Sequence, residues 1–510
     1  MILGEVSRTA DTAVTLDDLF RRVSVRDPDA LALADPPNRK DFTEGAPRTL
    51  SFAQTDRAIS ALAEKLRGFG LQTDTVVAMQ LPNTVESIVA FLGVLRAGMI
   101  AVPIPLLWRQ QDIVEALRRV NAKAIVTLPR IGTTAHAELA MQAAVELFPI
   151  RHVCSFGANL PDGIVSLDEV FASGSVDVAA PYIRPGPAAA HVAAITFGLD
   201  AKGLVPIVRS HVELLAAGLE TFLEAGAEAD TSLLSTIPIG SFAGLALTLV
   251  YWLLSGGALH LHHGFDPDAF DAQSGSLTGG TVVLPASALA SVAEAGLLRE
   301  AHRTIVALWR APERLTSAKP WHGKPTLVDV ASFGEIGLVA ARRGENRLPT
   351  AIRHGVVNSS HRAPGAPVVI ETARSDVGTL ALRGRMVSVH AFAPGAKSAH
   401  PSRLSPDSAE YVDTGFACRL DRNGQTLTIT APPSGTIAVG GYCFRTNLID
   451  ALVADADLDA TLVALPDSDL GQRFAGAAAD RATLRAKLQA QGINPLISGA
   501  FVPRGAPESA

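Results

Sequence analysis

The stretch from residue 50 to residue 126 reads as helix, buried strand, helix, buried strand, and that order commits the chain to a largely parallel sheet with helices packed on it. Leu50-Ser51-Phe52-Ala53-Gln54 leads into Ile59, Leu62 and Leu66 at helical spacing, and Val76-Val77-Ala78-Met79-Gln80-Leu81-Pro82-Asn83 follows as a short apolar run. A second amphipathic stretch, Val85 to Arg96, precedes Ala97-Gly98-Met99-Ile100-Ala101-Val102-Pro103-Ile104. Gly98 stands where a helix C-cap belongs.

Further motifs follow in order. They are Pro238-Ile239-Gly240-Ser241-Phe242-Ala243-Gly244, Gly264-Phe265-Asp266-Pro267, Phe333-Gly334-Glu335, and Gly378-Thr379-Leu380-Ala381-Leu382-Arg383-Gly384. Thr414-Gly415, Asp421-Arg422-Asn423-Gly424 and Val439-Gly440-Gly441-Tyr442 complete the series. No single piece is specific, but their collinear order from about residue 16 to about residue 471 closely resembles the AMP-forming acyl-CoA synthetases of the adenylate-forming superfamily. The resemblance implies an α/β fold: a large amino-terminal domain, 16–430, of two mixed sheets with flanking helices plus a small barrel-like sheet at roughly 345–418. A small mobile-type α/β domain, 434–510, follows, truncated relative to the family and containing a helix around Arg481 to Leu488. Segments 36–47 and 391–408, rich in Pro, Gly, Ser and charge, read as exposed loops.

Composition excludes several function classes. At 510 residues, 48% of them hydrophobic, the chain can bury a large core in more than one domain. A net charge of -6 without an extended Lys/Arg run argues against a nucleic-acid partner. Cys154, Cys418 and Cys443 are few and far apart, so neither a disulfide framework nor a zinc site is expected. The opening Met-Ile-Leu-Gly-Glu-Val lacks the pattern of a signal peptide, and the natural reading is a cytoplasmic protein. Phe242 to Leu254 is nearly all apolar but shorter than the ~20 residues a bilayer crossing needs, so a buried helix is expected there and no membrane span. In His260-Leu261-His262-His263, strand alternation puts His260 and His262 on one face and His263 on the other; three ligands do not converge, and no metal site is expected.

Enzymes of the resembled family join a carboxylate to ATP, giving an acyl-adenylate and pyrophosphate, and then pass the acyl group to a thiol such as coenzyme A. The first step needs amides, hydroxyls and a lysine around the triphosphate and a carboxylate for magnesium. The family's phosphate loop, Thr-Ser-Gly-Thr-Thr-Gly-x-Pro-Lys-Gly followed by Ser-His, matches Thr196, Gly198, Lys202, Gly203, Ser210 and His211 only with a one-residue insertion. Phe197 and Leu199 stand where small hydroxyl residues belong, and bulky apolar side chains crowd a phosphate site. Lys202 is either a phosphate contact or a solvated lysine on a connecting loop. Phe333 and Gly334 begin the family's next motif, whose Thr and Glu positions hold Ile336 and Gly337 here. Glu335 is a substitute metal ligand if that loop is rebuilt, and otherwise an exposed carboxylate.

The crossing between domains departs furthest from the family. The family's ribose-gripping aspartate after Thr414-Gly415 is Phe416, with Asp413 ahead of the turn, and its Gly-Arg pair aligns with Ala431-Pro432. Pro433 falls at the family's hinge, where two adjacent prolines restrict rotation. The terminal Gly-Lys, whose lysine drives adenylation in the family, is absent; Lys487 is the last lysine and falls on an expected helix. No catalytic residue is therefore assigned. Gly440, Gly441 and Tyr442 match the turn that approaches the pantetheine arm, or form a plain glycine turn. Trp309, Arg310 and Ala311 fall at the family's acyl pocket, where the tryptophan either fills the pocket or belongs to the core. Two readings follow: a divergent acid-thiol ligase that still activates a carboxylic acid with ATP and Mg through rebuilt contacts such as Lys202 and Glu335, or a non-catalytic or ATP-independent binder of an acyl group, an acyl-CoA or an acyl carrier protein. The losses across separate nucleotide motifs favour adenylation lost or much reduced, with ATP and Mg needed only where it survives.

Overall fold

Each boundary in the opening alternation has a local physical cause. The computed structural model describes residues 14–172, 186–311, 319–357, 368–389, 406–467 and 470–502. The helix Phe52–Gly68 starts at a reciprocal cap, in which the Ser51 hydroxyl accepts from the Gln54 amide at 3.3 Å and the Gln54 carbonyl accepts from the Ser51 amide at 2.8 Å. The helix Val85–Arg96 gets no side-chain cap from Thr84; Asp35 Oδ1 takes the Val85 N–H at 2.8 Å instead. Gly98 then turns the chain at φ 80°, a left-handed conformation that glycine adopts without strain. The strands Val76–Met79 and Ile100–Pro103 pair in parallel and are buried at every residue, which is why both read as unbroken apolar runs.

They lie at the centre of a seven-stranded sheet ordered Val165–Ser166, His152–Ser155, Ala124–Thr127, Val76–Met79, Ile100–Pro103, Val192–Asp200, Gly203–Ser210. An eight-stranded sheet runs Gly337–Arg342, Thr326–Phe333, Thr304–Arg310, Thr281–Pro285, Leu233–Ser235, Leu259–Leu261, Leu31–Ala34, Thr49–Ser51, parallel inside and antiparallel at both edges. Two mixed sheets with helices against them are the expected class. The apolar segment after Ser241 is the expected buried helix, widened to π geometry over Leu245–Val250. Tyr251 and Trp252 within it are fully buried, and no described helix is long and apolar enough to cross a membrane.

A six-stranded antiparallel sheet runs Ile352–Arg353, Thr426–Ala431, Val412–Leu420, Thr379–Arg383, Ile370–Arg374, Gly355–Val357. It extends past the expected limit at 418 because Gly424, at φ 70°, returns the chain to pair Thr426–Ala431 with Val412–Leu420. After Pro433, the hairpins Thr436–Val439 with Tyr442–Arg445 and Thr461–Asp467 with Gly471–Ala477 join the helices Thr446–Ala456 and Arg481–Ala490. These close on a core of their own around Val453, Phe474, Leu488 and Phe501.

Segment 36–47 is not simply an exposed loop. Arg39–Phe42 forms one helical turn, and Arg39 is 2% exposed because its guanidinium pairs with Asp35 and, at 2.7 Å, with Glu86. Most of the other expected loop, 391–408, falls outside the described residues.

Candidate functional site: a cavity walled by a hairpin

The stretch from Ile195 to Ser210 lies in a β-hairpin in place of a loop. Val192–Asp200 pairs antiparallel with Gly203–Ser210 in the register Thr196 with Ile207, Gly198 with Val205 and Asp200 with Gly203, leaving Ala201 and Lys202 as the turn. Asp200 Oδ1 accepts the Lys202 N–H at 2.6 Å, and Gly203 takes φ 132°. In an extended strand, successive amides point to opposite sides, so those of residues 196–200 cannot converge on one anion as the amides of a phosphate loop do. Thr196 is buried, and Lys202 is exposed at the tip, outside the cavity lining. Ser210 caps the helix His211–Glu224 reciprocally with Glu213, and His211 Nδ1 accepts the Leu16 N–H at 3.3 Å, so the matched Ser-His pair serves the fold.

The hairpin walls a cavity of about 860 Å³. Its other sides come from residues 104–108, the first turns of the helix Gln110–Val120, the turn at 332–336, residues 413–416 and the segment 441–445. Phe197 meets Trp108 on the wall with ring centroids 5.6 Å apart. Asp112, Glu115, Asp200, Glu335 and Asp413 line the same space as Arg310 and Arg445. Burial pushes Asp112 up to about 6, with Glu115 adding to the shift. Arg445 lies 3.6 Å from Glu115, which also accepts from Arg119 at 2.9 Å.

Glu335 is not an exposed loop carboxylate. It is half-buried; Oε2 accepts the Phe242 N–H at 2.6 Å, and burial holds its pKa above the ordinary range against that hydrogen bond and nearby arginines. Arg209, fully buried, clamps the same turn by donating to the carbonyls of Glu335 and, at 2.8 Å, Ile336, and it stacks 3.6 Å from the centre of the Phe242 ring. Burial pulls its pKa down to about 10. Sequence reasoning passed over Arg209; the available signal was a lone cation inside the apolar run Pro206-Ile207-Val208 before Ser210. Phe333 is fully buried at the end of its strand, and Gly334 takes φ 57°. Gly337 opens the neighbouring strand, where even a Cβ would meet Leu382 Cδ1 at 2.8 Å.

At the crossing, Thr414 Oγ1 donates to the Leu380 carbonyl at 2.7 Å, and Asp413 Oδ1 accepts the Gly415 N–H at 2.8 Å. Phe416 is 2% exposed and packs toward Gly334, where an added Cβ would stand 3.6 Å from its ring. Trp309 does not line the cavity: strand alternation turns it into the core beside Phe270 and Leu289, with Nε1 donating to Asp329 at 2.7 Å, while Arg310 and Ala311 face the cavity. Gly440 and Gly441 take φ 55° and 77°, and a side chain at Gly441 would collide with Arg310. Tyr442 and Cys443 line the cavity; burial raises the pKa of the Tyr442 hydroxyl, and Cys443 is exposed. Lys487 sits on its expected helix and donates to the carbonyls of Asp455 and, at 2.9 Å, Ala456, capping the end of the helix Thr446–Ala456.

Among the described residues, no group of three His, Cys, Asp or Glu is placed to hold a metal. His262 Nδ1 is 2.8 Å from Gln273 Oε1, and burial lowers the pKa of His260 and His262 and takes His263 down to about 4.

Residues 20–283 match the AMP-binding enzyme family. The chain is 25% identical over 470 residues to the 2-hydroxy-7-methoxy-5-methyl-1-naphthoate–CoA ligase of Streptomyces carzinostaticus, covering 88% of this chain and 80% of the ligase. It is 23% identical over 257 residues to the medium-chain fatty-acid–CoA ligase of Escherichia coli K12, covering 50% of this chain and 43% of that one. Among solved structures, the amide bond synthetase McbA from Marinactinospora thermotolerans superposes with a TM-score of 0.67 at 18% identity, over 95% of this chain and 94% of McbA. ATP-bound MatB from Rhodopseudomonas palustris gives 0.60 at 18% identity, over 94% and 92%.

Proposed function

The chain belongs to the AMP-binding enzyme family, and from that premise we propose that it is an acyl-CoA synthetase-like protein whose adenylation is lost or much reduced, and that its cavity binds an acyl group or acyl thioester without ATP. The observation that carries this reading is the hairpin: diverging strand amides replace the converging ones that a triphosphate needs. Other features support it. Phe416 fills the position of the ribose-gripping aspartate as a buried ring. The magnesium-binding glutamate would fall at Gly337, where a side chain meets Leu382. Glu335, the possible substitute metal ligand, accepts from the Phe242 amide, and Lys487 is tied to helix carbonyls. Each charged hydrogen bond lost to a ligand forfeits about 1.5–3 kcal/mol, so several together weaken ATP binding by orders of magnitude. ATP and Mg therefore do not fit the residues present.

The reading divides the chain near residues 430–434, in keeping with the separate core after Pro433. It places the protein in the cytoplasm and gives it an acyl-CoA or acyl carrier protein as the source of its ligand. The close approach of Gly441 to Arg310 supports a role for Gly440, Gly441 and Tyr442 at the entrance for a pantetheine arm. Isothermal titration of the full-length protein tests the reading. ATP with magnesium is expected to give no heat and no change in melting temperature, whereas a panel of acyl-CoAs includes a binder. An ATP dissociation constant below about a millimolar, roughly 4 kcal/mol of binding, overturns it.

A further inference from the structure

We propose that the cavity is a binding chamber for an uncharged apolar acyl chain presented as a thioester, and that it discriminates against the corresponding free acid. The inference rests on the reading that ATP is not the occupant, and it names what replaces it. Two apolar walls from distant parts of the chain line the space. Trp108, Phe197 and Leu199 belong to one, and Phe444, Leu448 and Leu452 of the segment after Pro433 belong to the other. Its volume, about 860 Å³, is near the top of the range of about 300–1,000 Å³ that buries a ligand of several hundred daltons.

The two walls are held together independently of any ligand. A Cβ on Gly435 would stand 3.1 Å from Ala201 Cβ at the hairpin tip, one on Gly203 would stand 2.8 Å from Glu115, and Arg445 reaches Glu115 from the other side. The hairpin that displaces the phosphate loop thus also seats the carboxy-terminal wall and gives the chamber its second apolar face.

Charge chooses among apolar ligands. On the lining, the carboxylates of Asp112, Glu115, Asp200, Glu335 and Asp413 outnumber the guanidinium groups of Arg310 and Arg445. Two of the carboxylates report the same field: Asp112 and Glu335 are shifted toward their protonated forms, with burial as the first cause. A ligand carboxylate entering this space meets the same penalty, whereas a thioester carbonyl brings the same chain without a charge.

The test is titration of the full-length protein at neutral pH with decanoyl-N-acetylcysteamine, decanoate and decylammonium, each below its micelle concentration. The thioester is expected to bind about tenfold or more tighter than decanoate. Leu448→Asp and Leu199→Asp, one on each wall, each weaken it by a similar factor; because Leu448 is 38% exposed, that variant keeps the parent melting temperature. Equal or tighter binding of decanoate or decylammonium overturns the proposal, as does an unchanged affinity in Leu448→Asp or the absence of binding by all three ligands. Because ATP is titrated separately, ATP binding alongside thioester binding sinks the nucleotide reading alone, and silence from every ligand sinks the chamber alone.

Discussion

The strands Val76–Met79 and Ile100–Pro103 and the hairpin of Val192–Asp200 with Gly203–Ser210 belong to one sheet, yet they stand in opposite relations to the family's sequence pattern. The first pair is central and buried on both faces, so every side chain answers to neighbours above and below. The hairpin is at the edge, contributes its own ladder, and is buried at its base but half-exposed at Phe197–Asp200 and Leu204–Pro206, toward the turn. A change at the centre costs packing energy at once. A change at the edge is tolerated once the new sequence satisfies its own backbone, and Phe197, Leu199 and the two-residue turn do so. A ligand loop can thus be rewritten into secondary structure while the fold beneath it stays intact.

Breaking the central, buried side of that contrast produces the largest effect. Arg96 is buried at the end of the helix Val85–Arg96, with Nη2 on Asp17 at 2.7 Å and Nη1 on Asp56 at 2.7 Å. Arg96→Met removes both ion pairs, leaving Asp17 only its pairing with Arg21 at 2.9 Å, and is expected to cost about 3–5 kcal/mol. Urea unfolding measures it, and a loss below about 1 kcal/mol means that the central framework is less constrained than its burial implies.

Restoring the family residue on the rewritten side comes next. Phe416→Asp returns the ribose-binding side chain but places a carboxylate where a ring is 2% exposed. The loss is about 3 kcal/mol or more, from the deleted ring and the buried charge, with no ATP binding gained in titration. A variant that keeps its melting temperature and binds ATP reveals a latent nucleotide site and inverts the comparison.

The same contrast explains what could be read from the sequence. Central strands and their helices were legible because periodicity and glycine punctuation at Gly98 act locally and leave few alternatives. The hairpin was not. Gly198 and Lys202 invite matching to a loop, and whether Thr196 to Gly203 forms a loop or a ladder depends on the facing strand, which no short motif encodes. Trp309 and Glu335 went astray for related reasons. Trp309 is turned from the cavity by a one-residue phase of its strand, and Glu335 is drawn inward by an amide at Phe242, far away in sequence.

A smaller, pH-dependent effect sharpens the comparison on the flank of the central sheet. His136 is 2% exposed, and burial, with the Arg109 charge adding to it, pulls its pKa down to about 4. The unfolded chain binds that proton more tightly, so this contribution is complete above about 6.5 and is lost as pH falls toward 4. Asp35 and Asp112, pushed up to about 6, favour the fold on acidification in the same range, and the readout must be a difference. The stability of the wild type minus that of His136→Asn is expected to fall by up to about 3 kcal/mol between pH 6.5 and 4. A flat difference would place His136 in contact with water.

The smallest effect is the most pointed. In the family's pattern, Lys202 is the phosphate-contacting lysine, whereas here it is exposed on a two-residue turn and fixed by its backbone amide on Asp200, not by its ammonium group. Replacing it with alanine keeps that amide and the register of the hairpin. Lys202→Ala is therefore expected to change stability by less than about 0.5 kcal/mol, as surface substitutions do, and to leave acyl-thioester affinity unchanged. A large loss of ligand binding in this variant would mean that the hairpin tip still reaches a bound anion, and that the edge of the sheet has kept part of the chemistry its ladder argues against.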